Sequence, residues 1–171
     1  MKKESVEGAL APLLSGLPPV VDAQVEVLIL GSFPSPSSLQ AGMYYAHRQN
    51  HFWRILAALL EQPLPELPLA ERYACLLRHG IGLWDIYGRC RRQGALDAAI
   101  RDGEFNDFST LLAQSPKLHR VCFNGQTAAR IQQHFMGLGF EVRVLPSTSP
   151  AYTLPLADKL ERWRAGLGSL S

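Results

Sequence analysis

The sequence predicts a three-layer α/β/α fold of the α/β class, built on a central, mostly parallel, four-stranded sheet. Two observations support this fold. Short apolar runs rich in β-branched residues alternate along the chain with longer segments of helical period. The first run is a continuous stretch of β-branched residues and leucine that reads as a buried strand, and buried strands separated by helices are typical of a parallel sheet covered on both faces. A length of 171 residues suits one domain, which we predict over residues 1–171.

The four predicted strands are apolar runs, and each run stops at small or polar residues. The first is a run of valine, leucine and isoleucine that ends in a Gly-Ser pair. Parallel neighbours need crossover connections, and the helical segments between the runs provide them. The predicted strands are VEVLILGS (25–32), IGLWDI (81–86), LHRVCFNG (118–125) and FEVRVLPSTSP (140–150).

The predicted helices follow from apolar periodicity and from capping signals. Gly80 is a C-terminal stop, Asn106 or Asp107 suits an N-cap, and Pro155 suits a first turn. The first twenty residues predict an amphipathic helix and not a signal peptide, because their apolar part is short and interrupted by proline. The helical segments are 1–20, 50–62, 69–80, 105–116, 126–139 and 155–168, with a loop or short helix at 94–103 in which Asp97 is a candidate cap.

Composition excludes several classes of protein. Charged residues, proline or glycine interrupt every apolar run before it reaches the length of a membrane span. Cys75, Cys90 and Cys122 lie far apart, so they predict buried free thiols in a reducing cytoplasm and no metal or iron–sulfur site. The net charge of +2 neither indicates nor excludes nucleic acid, because a local basic stripe is what matters. We expect a cytoplasmic monomer with no membrane, metal or cofactor.

Residues suited to binding a flat, polar ring follow the predicted strands. Open parallel sheets bind ligands beyond the carboxyl ends of their strands. Four loops rich in Gly, Ser, Pro, Asn or Asp meet there, and the stretch GMYYAHRQNHFW (42–53) follows the first of them. The motifs of serine hydrolases, zinc proteases, phosphate loops and dinucleotide folds are absent. The edge offers aromatic rings, amides, one acid and backbone donors, from Phe33, Tyr44, Tyr45, Phe52, Asn50, Asn124, Asp85, Gly31 and Ser32.

Four motifs in this order resemble the uracil-DNA glycosylase superfamily, and most closely its hypoxanthine-DNA (deoxyinosine) glycosylase branch, sometimes called family six. They span residues 27 to about 152. The resemblance implies an α/β/α enzyme that hydrolyses the N-glycosidic bond of a deaminated base in double-stranded DNA. Hypoxanthine is the first expected base, and uracil opposite guanine is the second. The motifs are LILGSFPSPSSLQAGMYYAHRQNHFWRIL, GIGLWDIYGRCRRQGALDAAI, VCFNGQTA and VLPSTSPAY.

Two positions depart from the family pattern. Ser35 stands where the branch usually has glycine after G-S-F-P, which could tighten the turn. Phe33 stands where many members of the superfamily have an Asp or Asn that directs the attacking water. The branch is thought to use the asparagine of its N-x-F-W element, which implies that Asn50 is the catalytic residue here.

The resemblance implies roles for the remaining residues of the edge. Tyr45 and Phe52 would stack on an extruded base, and backbone groups near Ser32 and the Asn124 amide would meet its developing negative charge. Asp85 would accept a hydrogen bond from N1–H of hypoxanthine, which adenine lacks. The set of predicted base-binding residues is Phe33, Tyr45, Phe52, Asp85, Asn124, Gly31 and Ser32.

The resemblance also implies DNA contacts around the last motif. Ser147, Thr148 and Ser149 would bind phosphates, and Tyr152 or Leu154 would serve as a wedge. Three arginines next to the Asp85 loop are further candidates for phosphate contacts: Arg89, Arg91 and Arg92.

Each of these residues also has an ordinary structural interpretation. Asn50 suits the cap of a helix, Asn124–Gly125 is a turn signal, and Asp85 could pair with an arginine. The arginines also suit a solvated face. Two further functions therefore stay open. One is a non-catalytic module of the same fold that binds nucleotides or nucleic acid, and the other is a hydrolase of free nucleosides.

Overall fold

The computed structural model describes residues 11–168, and its centre is a four-stranded parallel sheet. The strands are Leu13–Ser15 (β1), Val27–Gly31 (β2), Ile81–Asp85 (β3), Tyr87–Arg91 (β4), Arg101–Phe105 (β5), Arg120–Asn124 (β6) and Glu141–Leu145 (β7). The helices are Pro36–Ala41 (α1), Phe52–Leu60 (α2), Leu69–Arg78 (α3), Phe108–Gln114 (α4), Gln132–Gly137 (α5) and Leu156–Leu167 (α6). Short 3₁₀ turns cover Leu64–Glu66, Asp97–Ala99 and Ala128–Ile131.

The central sheet confirms the four predicted parallel strands. β2 is buried along its whole length and pairs in parallel with β3 on one side and β6 on the other. Its register sets Gly31 opposite Asp85, the last residues of β2 and β3. β7 pairs in parallel with β6 and sets Leu145 opposite Asn124. The strand ends are therefore level, and the loops that follow them meet at one edge.

Successive residues of β2 pack into different cores, which confirms the prediction of a sheet covered on both faces. Ile29 packs with Phe52 of α2 and Trp163 of α6 in one core. Leu30 packs with Phe135 of α5 in the other. This alternation follows from the period of two in side-chain direction along a strand.

A second, antiparallel sheet with the order β1-β4-β5 is the largest feature that the sequence analysis missed. The prediction of a helix over residues 1–20 is wrong for Leu13–Ser15, which form β1 and pair with β4. Residues 1–10 lie outside the described part of the chain. The segment 94–103 forms a 3₁₀ turn and the start of β5, and Leu96, not Asp97, is the cap residue of that turn.

Capping explains several helix boundaries. The Asp107 carboxylate accepts a hydrogen bond from the Ser109 backbone N–H, which confirms Asp107 as the cap of α4. α1 was not predicted. Its N-cap is Ser35, whose hydroxyl accepts from the Ser38 N–H at 3.1 Å. The serine that departs from the family pattern therefore starts a helix. The predicted helix over 126–139 is split into a 3₁₀ turn and α5.

Between residues 11 and 168, no helix combines the length and the apolar character needed to cross a membrane. The three cysteines are buried free thiols, as predicted.

Candidate functional site

A cavity of about 250 Å³ lies at the carboxyl edge of the parallel sheet. Its volume is slightly below the roughly 300–1,000 Å³ of common small-molecule pockets, which suits one small ring system. The walls come from the loops after four strands and from the segment between α1 and α2. Eleven of the predicted site residues line it: Gly31, Ser32, Phe33, Tyr45, Asn50, Asp85, Asn124, Ser147, Thr148, Ser149 and Tyr152.

Asp85 and Gly31 lie beside each other at the base of this cavity. A methyl group at Gly31 would lie 2.6 Å from Asp85 Oδ1 and 3.1 Å from the Tyr45 hydroxyl, so the position requires glycine. Asp85 is 4% exposed, and its Oδ2 has no hydrogen-bond partner among residues 11–168. Burial, reinforced by the Asp97 charge and opposed by Arg92, raises the pKa of Asp85 to about 7.

The side chain of Tyr45, from the segment before α2, lies beside Asp85 and Gly31. Its φ of 56° is in the left-handed region, which is uncommon for a residue with a side chain. The ring stacks on Phe52 with a centroid separation of 4.0 Å and an interplanar angle of 24°. The hydroxyl is buried and makes no hydrogen bond of ordinary geometry in the part of the chain that the structure describes, and the Asn124 amide is close enough to oppose the rise in the Tyr45 pKa. Burial, with the nearby Asp85 carboxyl, raises the pKa of Tyr45 above its usual range.

The prediction that Phe52 stacks on a ligand is wrong. Phe52 is fully buried and does not line the cavity. Tyr45 covers one face of its ring, and Trp53 and Trp163 pack against it edge to face. Its position at the start of α2 directs the side chain into the core, where it supports Tyr45.

Asn50 combines a place in the cavity wall with a structural hydrogen bond. Its Oδ1 accepts from the Phe52 backbone N–H at 2.9 Å, at the beginning of α2. The N-cap residue of α2 is His51, and no side chain makes a capping bond there, so the interpretation of Asn50 as the cap is wrong by one residue. The bond uses one lone pair of the oxygen and fixes the orientation of the amide, whose other lone pair and N–H groups stay available.

Asn124 and Thr148 join the end of β6 to the loop after β7. Asn124 Nδ2 donates to Thr148 Oγ1 at 3.0 Å, and the Thr148 N–H donates to Asn124 Oδ1 at 2.9 Å. The Thr148 carbonyl accepts from the His51 N–H at 3.0 Å. The prediction that the Thr148 hydroxyl binds phosphate is wrong, because Thr148 is 1% exposed and packs against Asn124. One N–H of the Asn124 amide remains for a ligand.

The serines of the same loop form two successive turns. The Ser149 N–H donates to Ser147 Oγ, and the Ala151 N–H donates to Ser149 Oγ. Both hydroxyls accept in these bonds, which leaves their own hydrogens free to donate. Tyr152 is 42% exposed and borders the cavity and two neighbouring grooves.

Lys159 of α6 supports this loop and was missed by the sequence analysis. It is fully buried; its Nζ donates to the Ser149 carbonyl at 3.2 Å and lies 5.4 Å from the centroid of the Tyr152 ring. Burial lowers the pKa of Lys159. The available signal was its spacing, because Lys159 lies four residues before the buried Trp163 and therefore on the same face of the helix.

The three arginines near Asp85 divide into two types. Arg89 and Arg91 lie on β4, outside the cavity, with Nε atoms 3.4 Å from Glu104 and 3.6 Å from Asp102. Arg92 is 2% exposed, so the prediction that it contacts phosphate is wrong. Its Nη2 donates to the Pro34 carbonyl at 2.8 Å, and its guanidinium lies 5.3 Å from the Phe33 ring centroid. Arg92 therefore supports the loop after β2 from the interior of the protein.

The sequence analysis also missed the wall that the segment 95–97 provides. Ala95, Leu96 and Asp97 line the cavity, and the Ser32 hydroxyl donates to Asp97 Oδ1 at 2.7 Å. This contact closes one side of the site and adds the negative charge that raises the pKa of Asp85. The available signal was its place in the second quoted motif, in which Asp97 was interpreted only as a candidate cap.

A larger groove of about 1030 Å³ adjoins the cavity at Tyr152. Its described lining includes no acidic residue, and its basic residues come from the segment before α2 and from α2 itself. We call it the basic groove, and its basic residues are His47, Arg48, His51 and Arg54. No cluster of His, Cys, Asp and Glu suited to holding a metal ion occurs within residues 11–168.

Comparisons with known proteins agree on one family. The family model "Uracil DNA glycosylase superfamily" matches residues 18–165. A hypoxanthine DNA glycosylase of Methanosarcina acetivorans is 37% identical over 150 residues, which cover 88% of this chain and 95% of that protein. Its counterpart in Methanosarcina barkeri is 36% identical over 148 residues, covering 86% and 94%. A solution NMR structure from Methanosarcina acetivorans, provisionally assigned as a uracil DNA glycosylase, superimposes with a TM-score of 0.80 at 36% identity, covering 90% of this chain and 96% of that one.

Proposed function

This chain belongs to the uracil-DNA glycosylase superfamily, and from that premise we propose that it is a DNA glycosylase for deaminated bases. It hydrolyses the bond between deoxyribose and hypoxanthine first, and uracil in G:U mismatches second, and so initiates base excision repair. The observation that carries the proposal is the cavity in which Asn50, Tyr45, Asp85 and Asn124 meet. The name of the two Methanosarcina relatives supports hypoxanthine as the first base.

The cavity suits a base that has left the double helix. Its volume of about 250 Å³ fits one base and not a base pair. Such a base must be rotated out of the stack, which costs on the order of a few kcal/mol and least at a mismatch. A deaminated base is mispaired, so the cost of extrusion itself favours the lesion.

Asn50 is the proposed catalytic residue. The bond from Phe52 N–H fixes its side chain, and the second lone pair of Oδ1 can accept from a water and direct it at C1′. An amide is a weak base, but the carbocation-like sugar needs a positioned nucleophile more than a deprotonated one. The remaining Asn124 N–H and backbone groups near Ser32 would stabilise the negative charge on the departing base. The reaction is a hydrolysis by water and uses no metal or cofactor.

Two surfaces beside the cavity suit the flanking DNA. The free hydroxyl hydrogens of Ser147 and Ser149 can donate to phosphates, and Tyr152 is the candidate wedge at the rim. The basic groove can follow the backbone through Arg48 and Arg54. We propose that the protein acts on double-stranded DNA as a monomer, as one domain over residues 1–171, in the cytoplasm.

A strand-cleavage assay tests this function. Labelled duplexes with one inosine, uracil, xanthine or undamaged base are incubated with protein and then cleaved with alkali at abasic sites. We expect product from inosine, less from uracil and none from undamaged DNA. Asn50→Ala should abolish the product, whereas Gln40→Ala, which removes an exposed amide on α1, should not change it.

The same assay distinguishes the proposed function from the two alternative functions. A non-catalytic module would bind the lesion duplex and give no product with any base. A nucleoside hydrolase would release hypoxanthine from free 2′-deoxyinosine, which we expect to remain intact, since a nucleoside makes no contact with the phosphate-binding surfaces. Either of those results would contradict the proposed function.

A further inference from the structure

Of the buried cations of the protein, one has no counter-charge. Arg92 and Lys159 are the two buried cations of residues 11–168. Burial lowers the pKa of both side chains, and for Arg92 three nearby acidic groups oppose that fall. No charged group does so for Lys159, and its ammonium forms no ion pair with a carboxylate in the same part of the chain. Because lysine is rarely buried without a partner, the burial of Lys159 needs a reason.

Lys159 lies on the interior side of the loop that carries the candidate phosphate ligands. Its Nζ donates to the Ser149 carbonyl at 3.2 Å and lies 5.4 Å from the centroid of the Tyr152 ring. The Ser149 hydroxyl accepts from the Ala151 N–H, so its own hydrogen is free to donate. An anion that accepts this hydrogen would therefore bind the same residue that the ammonium contacts.

The charge of Lys159 also reaches the basic groove. His51 lines this groove, and burial, the Lys159 charge and the Arg54 charge lower the pKa of His51. A cation acts at longer range through protein than through water, because the dielectric constant of the protein is lower. The described lining of the groove includes no acidic residue. The groove therefore supplies no anion to Lys159 and would hold one from a ligand.

We propose that the counter-charge of Lys159 is a phosphate of the bound DNA, an inference that rests on the proposed function. The Ser149 hydroxyl donates to this phosphate. Lys159 acts through Ser149, because it holds the carbonyl of that residue and supplies positive charge from the interior of the protein. It is therefore a positioning residue, which does not touch the DNA itself. Burial of the ammonium costs stability in the free protein, and the bound phosphate offsets that cost.

This proposal predicts opposite effects on stability and on DNA affinity. Lys159→Met replaces the cation with an unbranched apolar side chain, so it should unfold at the same urea concentration as wild type or at a higher one. Lys159→Gln removes the charge and keeps an N–H for the Ser149 carbonyl. It should bind an undamaged duplex about 5–10-fold more weakly at low salt, and the slope of log affinity against log salt concentration should be shallower by about one.

Fluorescence anisotropy over a range of salt concentrations measures this slope. Lys159→Arg keeps the charge and should keep the slope. Lys117→Gln is the matched control, because Lys117 is exposed and donates to Gln24 before the start of β6, and it should bind like wild type. In single-turnover cleavage of an inosine duplex, Lys159→Gln should raise the protein concentration at half-maximal rate about 5–10-fold. It should lower the maximal rate less than about threefold, whereas a loop that had lost its support would lower the maximal rate more.

The salt slope decides between a charge that binds DNA and a merely structural lysine. An unchanged slope for Lys159→Gln would overturn the proposal, and so would an equally reduced slope for Lys159→Arg. Lys159→Met provides the same measurement of the slope if Lys159→Gln does not fold, and a loss of its stability with an unchanged slope would leave Lys159 a structural role only. If wild-type protein cleaves no lesion, the proposed function fails, and DNA binding still tests Lys159. If wild type cleaves inosine and the neutral variants keep its slope, only the inference about Lys159 fails.

Discussion

Two pairs of polar side chains line the same cavity and differ in whether the protein itself satisfies them. Asn124 and Thr148 bond to each other twice, and Thr148 also bonds to His51. Tyr45 and Asp85 converge on Gly31 and leave a hydroxyl and a carboxyl oxygen unpaired among the residues that the structure describes. The first pair stabilises the fold at the strand ends. The second pair costs stability, which a ligand would restore. Similar residue types at one edge of a sheet thus serve different purposes, and each can be tested.

The largest expected effect is on stability, from removing the Asp85 charge. The pKa of Asp85 is raised to about 7 from 3.8, so its folded form resists ionisation, and stability is lost as pH rises through this window. Asp85→Asn has no such loss. Its free energy of unfolding relative to wild type should increase between pH 4 and pH 7, by up to about 4 kcal/mol, as measured by urea denaturation.

Asp107→Asn is a control variant whose stability relative to wild type should change with pH in the opposite direction. Hydrogen bonds from the Ser109 hydroxyl and N–H lower the pKa of Asp107, so its contribution is present above pH 4 and is lost in acid. This variant should therefore be less stable than wild type near neutrality and similar to it in acid. If the difference in unfolding free energy between Asp85→Asn and wild type did not change with pH, the contrast between the Asn124–Thr148 pair and the Tyr45–Asp85 pair would fail.

Gly31→Ala should give the next largest effect. The added methyl would lie 2.6 Å from Asp85 Oδ1 and 3.1 Å from the Tyr45 hydroxyl, so it would displace one or both side chains. We expect cleavage of hypoxanthine to fall about a hundredfold, which corresponds to about 2.7 kcal/mol. Gly137→Ala is the control, since a methyl group there meets nothing within 4 Å. Full activity of Gly31→Ala would show that the space between Tyr45 and Asp85 is not used.

Thr148→Val tests the satisfied pair. The variant keeps the shape of the side chain and removes the acceptor of Asn124 Nδ2, leaving a partly buried donor unpaired. Its stability should fall by about 1–2 kcal/mol in thermal or urea denaturation. Tyr45→Phe, which removes a hydroxyl without a protein partner, should match wild type in the same measurement. The contrast fails if both variants lose the same stability.

The smallest effect concerns DNA affinity. Arg54→Ala in the basic groove should weaken binding to an undamaged duplex a few-fold and reduce the salt dependence of binding by about one phosphate contact. Fluorescence anisotropy over a range of salt concentrations measures both quantities. Arg78→Ala, at the exposed end of α3 near the opposite edge of the sheet, should bind like wild type. An unchanged salt slope for Arg54→Ala would exclude the groove as a path for the DNA backbone.

The sequence predicted the parallel sheet because hydrophobic burial alone specifies it. β2 is continuously apolar and β6 is apolar and buried over residues 121–123, which favours strands covered on both faces. β4 and β5 have sequences YGRCR and RDGEF, which carry no apolar alternation. Cross-strand contacts stabilise them, including the stacked rings of Tyr87 and Phe105 and the ion pair of Arg89 with Glu104. Such contacts depend on a partner strand that local sequence does not identify.

The sequence predicted which segments form the site, because the carboxyl ends of parallel strands meet at one edge of the sheet. Asn50, Tyr45, Asp85 and Asn124 line one cavity because their segments meet at one edge. The direction of individual side chains was not predictable. Phe52, Thr148 and Arg92 belong to the correct segments and lie buried, because packing against α6, Asn124 and Pro34 decides where each one points. Long-range packing of this kind leaves no local pattern.

One main-chain hydrogen bond connects the loop of the proposed DNA contacts to the residue beside the proposed catalytic amide. The Thr148 carbonyl, between two candidate phosphate ligands, accepts from the N–H of His51, which directly follows Asn50. A displacement of this loop by the DNA backbone would therefore act on the start of α2 and on the water that we propose Asn50 positions. The DNA on either side of the lesion would then help to align the nucleophile. A damaged base would be excised efficiently only while the DNA that contains it is bound to the protein.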